Sequence, residues 1–91
     1  MKKVIAIFHA TDMSEAQYHQ VMTDLEKSGA AKPVGRISHT ASAKGKGMLV
    51  IDQWESAEQL QQFAGTLMPI LVRNGVTPPQ PDVMPLVAEV R

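Results

Sequence analysis

The sequence contains no cysteine. This absence excludes disulfide bridges, a thiol nucleophile and thiolate metal sites together. It also fits the reducing environment of the cytosol, so we expect a cytoplasmic protein. Aromatic residues are scarce, at 4%, and the 9 basic residues are balanced by 9 acidic ones. Proteins that bind nucleic acid normally carry a basic face and aromatic side chains for base stacking, so nucleic acid is not an expected partner.

Long apolar runs are also missing, although a membrane-spanning helix needs about 20 apolar residues. The apolar segment after Lys2 and Lys3 resembles the start of a signal peptide, but His9, Thr11 and Asp12 interrupt it. We therefore expect no membrane partner. The 3 histidines lie on separate segments without the short spacing of metal ligands, and no glycine-rich phosphate loop precedes a helix. We therefore expect neither a metal nor a cofactor.

The clearest pattern in the chain is the segment at residues 47–54, which predicts a β-strand. Alternate residues of a strand share a face, so Val50, Asp52 and Trp54 fall on one side and Leu49 and Ile51 on the other. Both faces begin apolar. We therefore expect both faces of this strand to be buried over most of its length.

The other segments predict three further strands and two helices. Ser14 and Ser56 each stand three residues before a glutamine, the capping-box pattern that opens a helix, and Gly29 should end the first helix. Pro69 should kink or restart the second helix, because proline lacks an N–H and its ring clashes one turn back. Pro85 favours an edge position or a bulge for the last strand. The strands are expected at residues 3–10, 34–43, 47–54 and 83–90.

The predicted order is β-α-β-β-α-β over a single domain, residues 1–91. This is the ferredoxin-like plan of the α+β class, with a four-stranded antiparallel sheet and two helices on one face. Two helices cover only that face, yet the first and third strands are apolar on both sides. Large exposed apolar patches are rare on monomers, so we expect a homodimer that pairs sheet to sheet into a dimeric α/β barrel.

The third strand continues into a sequence that resembles a known group of proteins. The resemblance rests on Asp52-Gln53-Trp54-Glu55-Ser56, followed by Glu58, Phe63, Pro69, Gly75, Pro78-Pro79, Pro81 and Val83-Met84-Pro85. With these residues the chain is similar, over nearly its whole length, to small bacterial antibiotic-biosynthesis-monooxygenase-like proteins of the dimeric α/β-barrel superfamily. The superfamily includes cofactor-free monooxygenases, haem-degrading enzymes, isomerases and decolorising peroxidases. Haem-degrading members use a histidine on the second helix and an asparagine on the first strand, and this chain has neither.

His39 is the candidate catalytic base. It lies mid-strand, where an imidazole facing an apolar cavity could remove a proton from an acidic C–H or a phenolic O–H. Asp52 is the candidate carboxylate that orients this base, and the residues expected to contact substrate are Trp54, His9, Ile37 and Val50. Two alternatives stay open. His39 could be a partly buried histidine bonded to a neighbouring carbonyl or carboxylate, and Trp54 could be an anchor of the core.

Two functions from different classes follow. The first, implied mostly by the resemblance, is a cofactor-independent monooxygenase that acts on an aromatic or enolisable substrate. His39 would generate a carbanion that reduces O₂ directly. The second is a non-catalytic, small-molecule-binding or stress-associated dimeric module, which the lack of a sharp catalytic constellation favours. For both functions we expect a small hydrophobic or aromatic ligand.

Overall fold

The chain folds into the predicted ferredoxin-like plan. In the computed structural model, which describes residues 2–90, the elements are β1 (Val4–Ala10), α1 (Glu15–Lys27), β2 (Arg36–Lys44), β3 (Gly47–Trp54), α2 (Ala57–Arg73) and β4 (Asp82–Pro85). The four strands form an antiparallel sheet in the order β2-β3-β1-β4. Both helices pack on the same face. Neither helix is long and apolar enough to cross a bilayer.

Both helices begin at the predicted serine caps. The Ser14 hydroxyl accepts a hydrogen bond from the Gln17 backbone N–H at 3.1 Å, and the Gln17 side chain accepts one from the Ser14 N–H at 2.8 Å. The predicted capping box is therefore complete at α1. At α2 the Ser56 hydroxyl accepts from the Gln59 N–H at 3.3 Å and donates to the Gln59 side-chain oxygen at 3.0 Å. Each cap satisfies a backbone donor that the first helical turn leaves without a partner.

Helix α2 runs through Pro69 to Arg73, so the restart that the sequence suggested does not occur. A proline inside a helix costs about 3 kcal/mol. The two residues that follow it, Ile70 and Leu71, are only 5% and 6% exposed. Burying side chains of this size is worth about 1.5–3 kcal/mol each, which offsets the cost of the proline and keeps the last turn helical.

Strand β4 is shorter than predicted and ends at Pro85. It pairs only with β1, so it occupies the edge position that Pro85 favours. One more backbone bond continues the pairing, from the Leu86 N–H to the Lys3 carbonyl at 2.9 Å. Beyond it Val87 and Val90 are each 94% exposed, so no burial extends the strand.

The two faces of the sheet differ in their burial. On the helix-facing side, Ala6 and Trp54 are fully buried and join one core cluster with residues of both helices. On the open side, Ile5, Ile7 and Leu49 are partly buried and Ile51 is 41% exposed. An apolar stripe therefore runs along the open face of the two central strands.

Candidate active site

A continuous line of hydrogen-bonded side chains crosses the helix-facing side of the sheet. The Tyr18 hydroxyl lies 2.7 Å from His39 Nε2, and His39 Nδ1 lies 2.6 Å from Asp52 Oδ1. The second carboxylate oxygen, Oδ2, accepts a hydrogen bond from Trp54 Nε1 at 3.2 Å. The order along this relay is therefore Tyr18, His39, Asp52, Trp54.

Strand register explains how these residues meet. His39 and Asp52 are direct partners in the β2–β3 ladder, so their side chains leave the same face at the same level. Trp54 follows two residues later on that face, where it is fully buried with its ring 5.6 Å from the Phe63 ring. Helix α1 supplies Tyr18 from its first turns. The relay thus joins three elements through the core of the fold.

The hydrogen-bond partners define the protonation pattern of the relay. A carboxylate only accepts hydrogen bonds, so His39 Nδ1 carries the hydrogen that Asp52 accepts. In a neutral imidazole the other nitrogen, Nε2, is then an acceptor, and the Tyr18 hydroxyl donates to it. Burial raises the pKa of Tyr18 above its ordinary value; the Arg36 charge opposes this rise and the Asp52 charge adds to it. Tyr18 therefore keeps its proton at neutral pH, and His39 Nε2 accepts its hydrogen bond.

The relay opens on a small cavity of about 50 Å³ between the sheet and the two helices. Such a volume accommodates a few water molecules or a small functional group. Its walls are mostly apolar, and its polar side chains are Tyr18, Arg36, His39 and Asp52. Polar groups that converge in an apolar cleft are typical of ligand sites.

A larger groove of about 590 Å³ adjoins this cavity, between α2 and the proline-rich segment at residues 77–81. Pro78, Pro79 and Pro81 line one side of the groove, and Leu60 and Met68 of α2 line another. The cavity and the groove share the wall residues Phe8, Phe63, Leu67, Leu71 and Pro79. A volume of 590 Å³ lies within the range of pockets that hold small organic molecules.

The residues singled out from the sequence fall into two groups. His39, Asp52 and Val50 line the small cavity, and Trp54 lies behind Asp52. His9 instead lies on the open face, where its Nε2 is 3.8 Å from Asp82 Oδ2. Ile37 sits at a bulge in β2 and is 37% exposed. Neither His9 nor Ile37 contributes to the walls of this cavity.

Two polar residues of the cavity were missed by reasoning from the sequence. Tyr18 has the spacing of the apolar stripe of α1, but a phenol in a core needs a hydrogen-bond partner, and that signal was available. Strict alternation along β2 would put Arg36 on the face opposite to His39. The bulge at Ile37 shifts the register between Arg36 and Ser38, so Arg36 pairs with Trp54 and turns toward the helices.

Comparisons with known proteins concern the fold. No protein-family model matches the sequence. No curated protein matches it either. Solved structures do match over nearly the full length. SnoaB from Streptomyces nogalater, a cofactor-independent oxygenase, superposes with a TM-score of 0.59 at 13% identity, over 100% of this chain and 97% of that one.

Rv0793 from Mycobacterium tuberculosis gives a TM-score of 0.60 at 21% identity, over 98% of this chain and 97% of its own. A candidate antibiotic biosynthesis monooxygenase from Chloroflexus aurantiacus gives 0.59 at 11% identity, covering 98% and 95%. The chain has the fold of antibiotic-biosynthesis-monooxygenase-like proteins. At these identities the likeness concerns the backbone, and the chemistry of the site has to be argued from Tyr18, His39, Asp52 and Trp54 themselves.

Proposed function

We propose that the protein is a cofactor-independent monooxygenase that acts on an aromatic or enolisable substrate, with His39 as the base and Asp52 as the group that orients it. The observation that carries this proposal is the Tyr18–His39–Asp52 relay at the edge of an apolar cavity. The fold, which SnoaB shares, is compatible with the same chemistry.

Asp52 and His39 act together as a proton acceptor. The 2.6 Å bond from Nδ1 to the carboxylate fixes the imidazole ring and stabilises the imidazolium that forms when Nε2 takes a proton. Trp54 holds the other carboxylate oxygen and so fixes the carboxylate plane. The side chain of Asp52 is only 5% exposed, so water weakens this charge pair little.

Tyr18 connects the base with the substrate. Its hydroxyl passes its own proton to His39 Nε2 while it takes the acidic proton of the substrate, so the phenol stays neutral overall. The carbanion left on the substrate then reduces O₂. In the complete reaction a CH₂ group becomes a carbonyl, one atom of O₂ enters the product, and the other leaves as water with the two hydrogens. The four electrons that the carbon loses are those that O₂ gains, so no external reductant is required.

The apolar part of the substrate occupies the 590 Å³ groove beneath the proline-rich segment. The small cavity alone is too confined for an aromatic ring system. Phe8 and Leu67 belong to the shared wall and are only partly buried, so movement of these two side chains can join the two spaces. The reacting group of the substrate then reaches Tyr18 from the groove.

Oxygen consumption by the purified protein tests the proposal. A panel of enolisable aryl ketones and hydroxyarenes is supplied to wild type, His39→Ala and His19→Ala. His19 is the matched control, because its side chain is 69% exposed and forms no hydrogen bond with the relay; it lies 3.5 Å from Glu15 across one helical turn and meets only the edge of the Tyr18 ring. Wild type and His19→Ala should consume O₂ at equal rates, and His39→Ala should be at least about 100-fold slower, in line with the usual contribution of a general base. Equal rates for His39→Ala would refute the role of His39.

A second candidate is a non-catalytic small-molecule-binding module. It is favoured by the 2.7 Å bond that already links His39 Nε2 to Tyr18, since a base engaged by the protein itself can be a structural group. Binding of an aromatic probe in the groove, measured by quenching of Trp54 fluorescence, together with no O₂ consumption across the panel would support this function over the first.

We also propose that the open sheet face pairs with a second copy of the chain. The stripe of Ile5, Ile7, Leu49 and Ile51 supports this, because isolated monomers rarely leave such a stripe in water. Sheet-to-sheet packing of two copies covers both stripes at once through a two-fold axis. The candidate active site lies on the other side of the sheet, so each copy carries its own relay.

A further inference from the structure

We propose that Arg36 is a further catalytic residue, which stabilises the enolate or phenolate oxygen that forms when the substrate gives up its proton. This inference rests on the proposed function and names the chemistry of its substrate: a neutral enol or phenol that becomes an anion at the relay. The polar residues that line the cavity are Tyr18, Arg36, His39 and Asp52, and Arg36 is the fixed positive charge among them.

The backbone around Arg36 holds it in this position. Gly35 has a φ of +92°, a conformation that favours glycine, and a Cβ there would clash with the Gln59 side chain. The Gly35 carbonyl accepts a hydrogen bond from the Glu55 N–H at 2.7 Å. On the other side, the bulge at Ile37 turns Arg36 toward the helices. A glycine and a bulge therefore direct one arginine into the cavity.

Two contacts fix the position of the Arg36 guanidinium and leave several of its N–H donors available to a ligand. Its carbon lies 6.0 Å from the centre of the Phe63 ring, and Nη2 donates to the Ala31 carbonyl at 2.9 Å. A guanidinium has five N–H donors, and the hydrogen bonds of the described chain use one of them for Ala31. The remaining donors match an anionic oxygen.

The charge of Arg36 has no carboxylate beside it in the described part of the chain, residues 2–90. The ion pairs there join His9 to Asp82, His19 to Glu15, His39 to Asp52 and Arg73 to Asp24. Asp52 is committed to His39 and Trp54. A partly buried cation that lines an apolar cavity favours an anion there, and deprotonation of the substrate creates one.

The charge of Arg36 should favour the removal of the proton more than the binding of the neutral substrate. A neutral enol or phenol gains little from the Arg36 charge, whereas its anion gains much, so the interaction strengthens as the proton leaves. The influence of Arg36 already reaches the Tyr18 hydroxyl, whose pKa it pulls downward against the effect of burial. Deprotonation of the substrate thus involves both residues: the Arg36 guanidinium stabilises the anion, and His39 accepts the proton.

The ionisation of a bound hydroxyarene tests the proposal without any turnover. The probe is 7-hydroxycoumarin, whose neutral and ionised forms absorb at different wavelengths, titrated with pH in saturating wild type, Arg36→Gln, Arg36→Lys and Arg73→Gln under nitrogen. Arg73 is the matched control, because it is an exposed arginine on α2 paired with Asp24. Wild type and Arg73→Gln should raise the acid dissociation constant of the probe at least tenfold above that in Arg36→Gln, and Arg36→Lys should keep part of the rise.

Equal dissociation constants in wild type and Arg36→Gln overturn the proposal, as does failure of wild type to bind the probe at any pH. Circular dichroism of Arg36→Gln checks that it folds, and Arg36→Lys keeps the test decisive if it does not. The outcome is separate from that of the monooxygenase proposal. An Arg36-dependent ionisation without O₂ consumption sustains this site and refutes the oxygenation, whereas O₂ consumption with no Arg36 effect does the reverse.

Discussion

Replacing Asp52 with asparagine tests the relay most sharply, because the change keeps the volume of the side chain and removes one acceptor. The carboxylate accepts from His39 Nδ1 with one oxygen and from Trp54 Nε1 with the other. An amide offers one oxygen and one NH₂ group. Trp54 is fully buried and cannot turn away, so the amide oxygen should keep Trp54 and the NH₂ group should face His39.

The expected loss of stability follows from this geometry. His39 exchanges a charge-assisted bond, worth about 1.5–3 kcal/mol, for a neutral one worth about 0.5–1.5 kcal/mol, in a place where its side chain is only 19% exposed. We therefore expect the free energy of unfolding to fall by about 1 kcal/mol. Since about 1 kcal/mol moves the Tm of a domain of this size by roughly 4–8 °C, the Tm should fall by that amount.

The replacement should also reverse the tautomer of His39. Facing an NH₂ donor, Nδ1 becomes the acceptor, so the hydrogen moves to Nε2 and points at Tyr18. His39 can then no longer accept a proton through Tyr18, and O₂ consumption should fall together with the stability. Nitrogen-15 NMR of the imidazole rings reports the tautomer directly.

Urea unfolding followed by the fluorescence of Trp54, the single tryptophan, measures the change in stability. Asp82→Asn is the control, because that side chain is 71% exposed and lies 3.8 Å from its partner His9. It should change the free energy of unfolding by less than about 0.5 kcal/mol. If Asp52→Asn were as stable as Asp82→Asn and His39 kept its hydrogen on Nδ1, the reasoning about the relay would be wrong.

Three further predictions concern other parts of the molecule. Tyr18 is the single tyrosine, so its ultraviolet titration should have a midpoint above that of free tyrosine. Because its pKa is raised in the folded state, the stability it contributes should be complete below about pH 10 and should decline as pH rises through the folded pKa, and Tyr18→Phe should remove that decline. Ile51→Glu on the open face should turn a dimer into a monomer in sedimentation velocity, whereas a monomeric wild type would contradict the pairing. Ser14→Ala should lower the free energy of unfolding by about 1 kcal/mol through loss of its cap, with the exposed Ser42→Ala, expected to be near neutral, as reference.

The sequence carries enough local information to define most of the fold. Ser14 and its Gln17 partner lie within one helical turn, so the capping box is visible in the order of residues alone. The alternation in β3 likewise gives the shared face of Val50, Asp52 and Trp54 directly. Local sequence predicts a break of the helix at Pro69. The helix nevertheless continues, because Ile70 and Leu71 are buried in contacts with residues distant in sequence.

The candidate site is less visible in the sequence because its parts are brought together by tertiary structure. Asp52 could be associated with His39 as a potential orienting group, but their exact pairing depends on the register of β2 after its bulge. Tyr18 lies 21 residues from His39, and although a phenol in the helical stripe needs a hydrogen-bond partner, the stripe does not indicate which residue that partner is. The face of Arg36 cannot be deduced from alternation, since one extra residue at Ile37 reverses the parity of the residues before it.

Oxidation of a substrate under ¹⁸O₂ tests the central claim most directly. The protein is first dialysed against a chelator and supplied with no cofactor, and the mass of the product is measured by mass spectrometry. The proposed reaction predicts that wild type introduces one ¹⁸O atom per product molecule and that His39→Ala introduces none in the same time. A product without the label, or labelling that requires an added metal or cofactor, would contradict it.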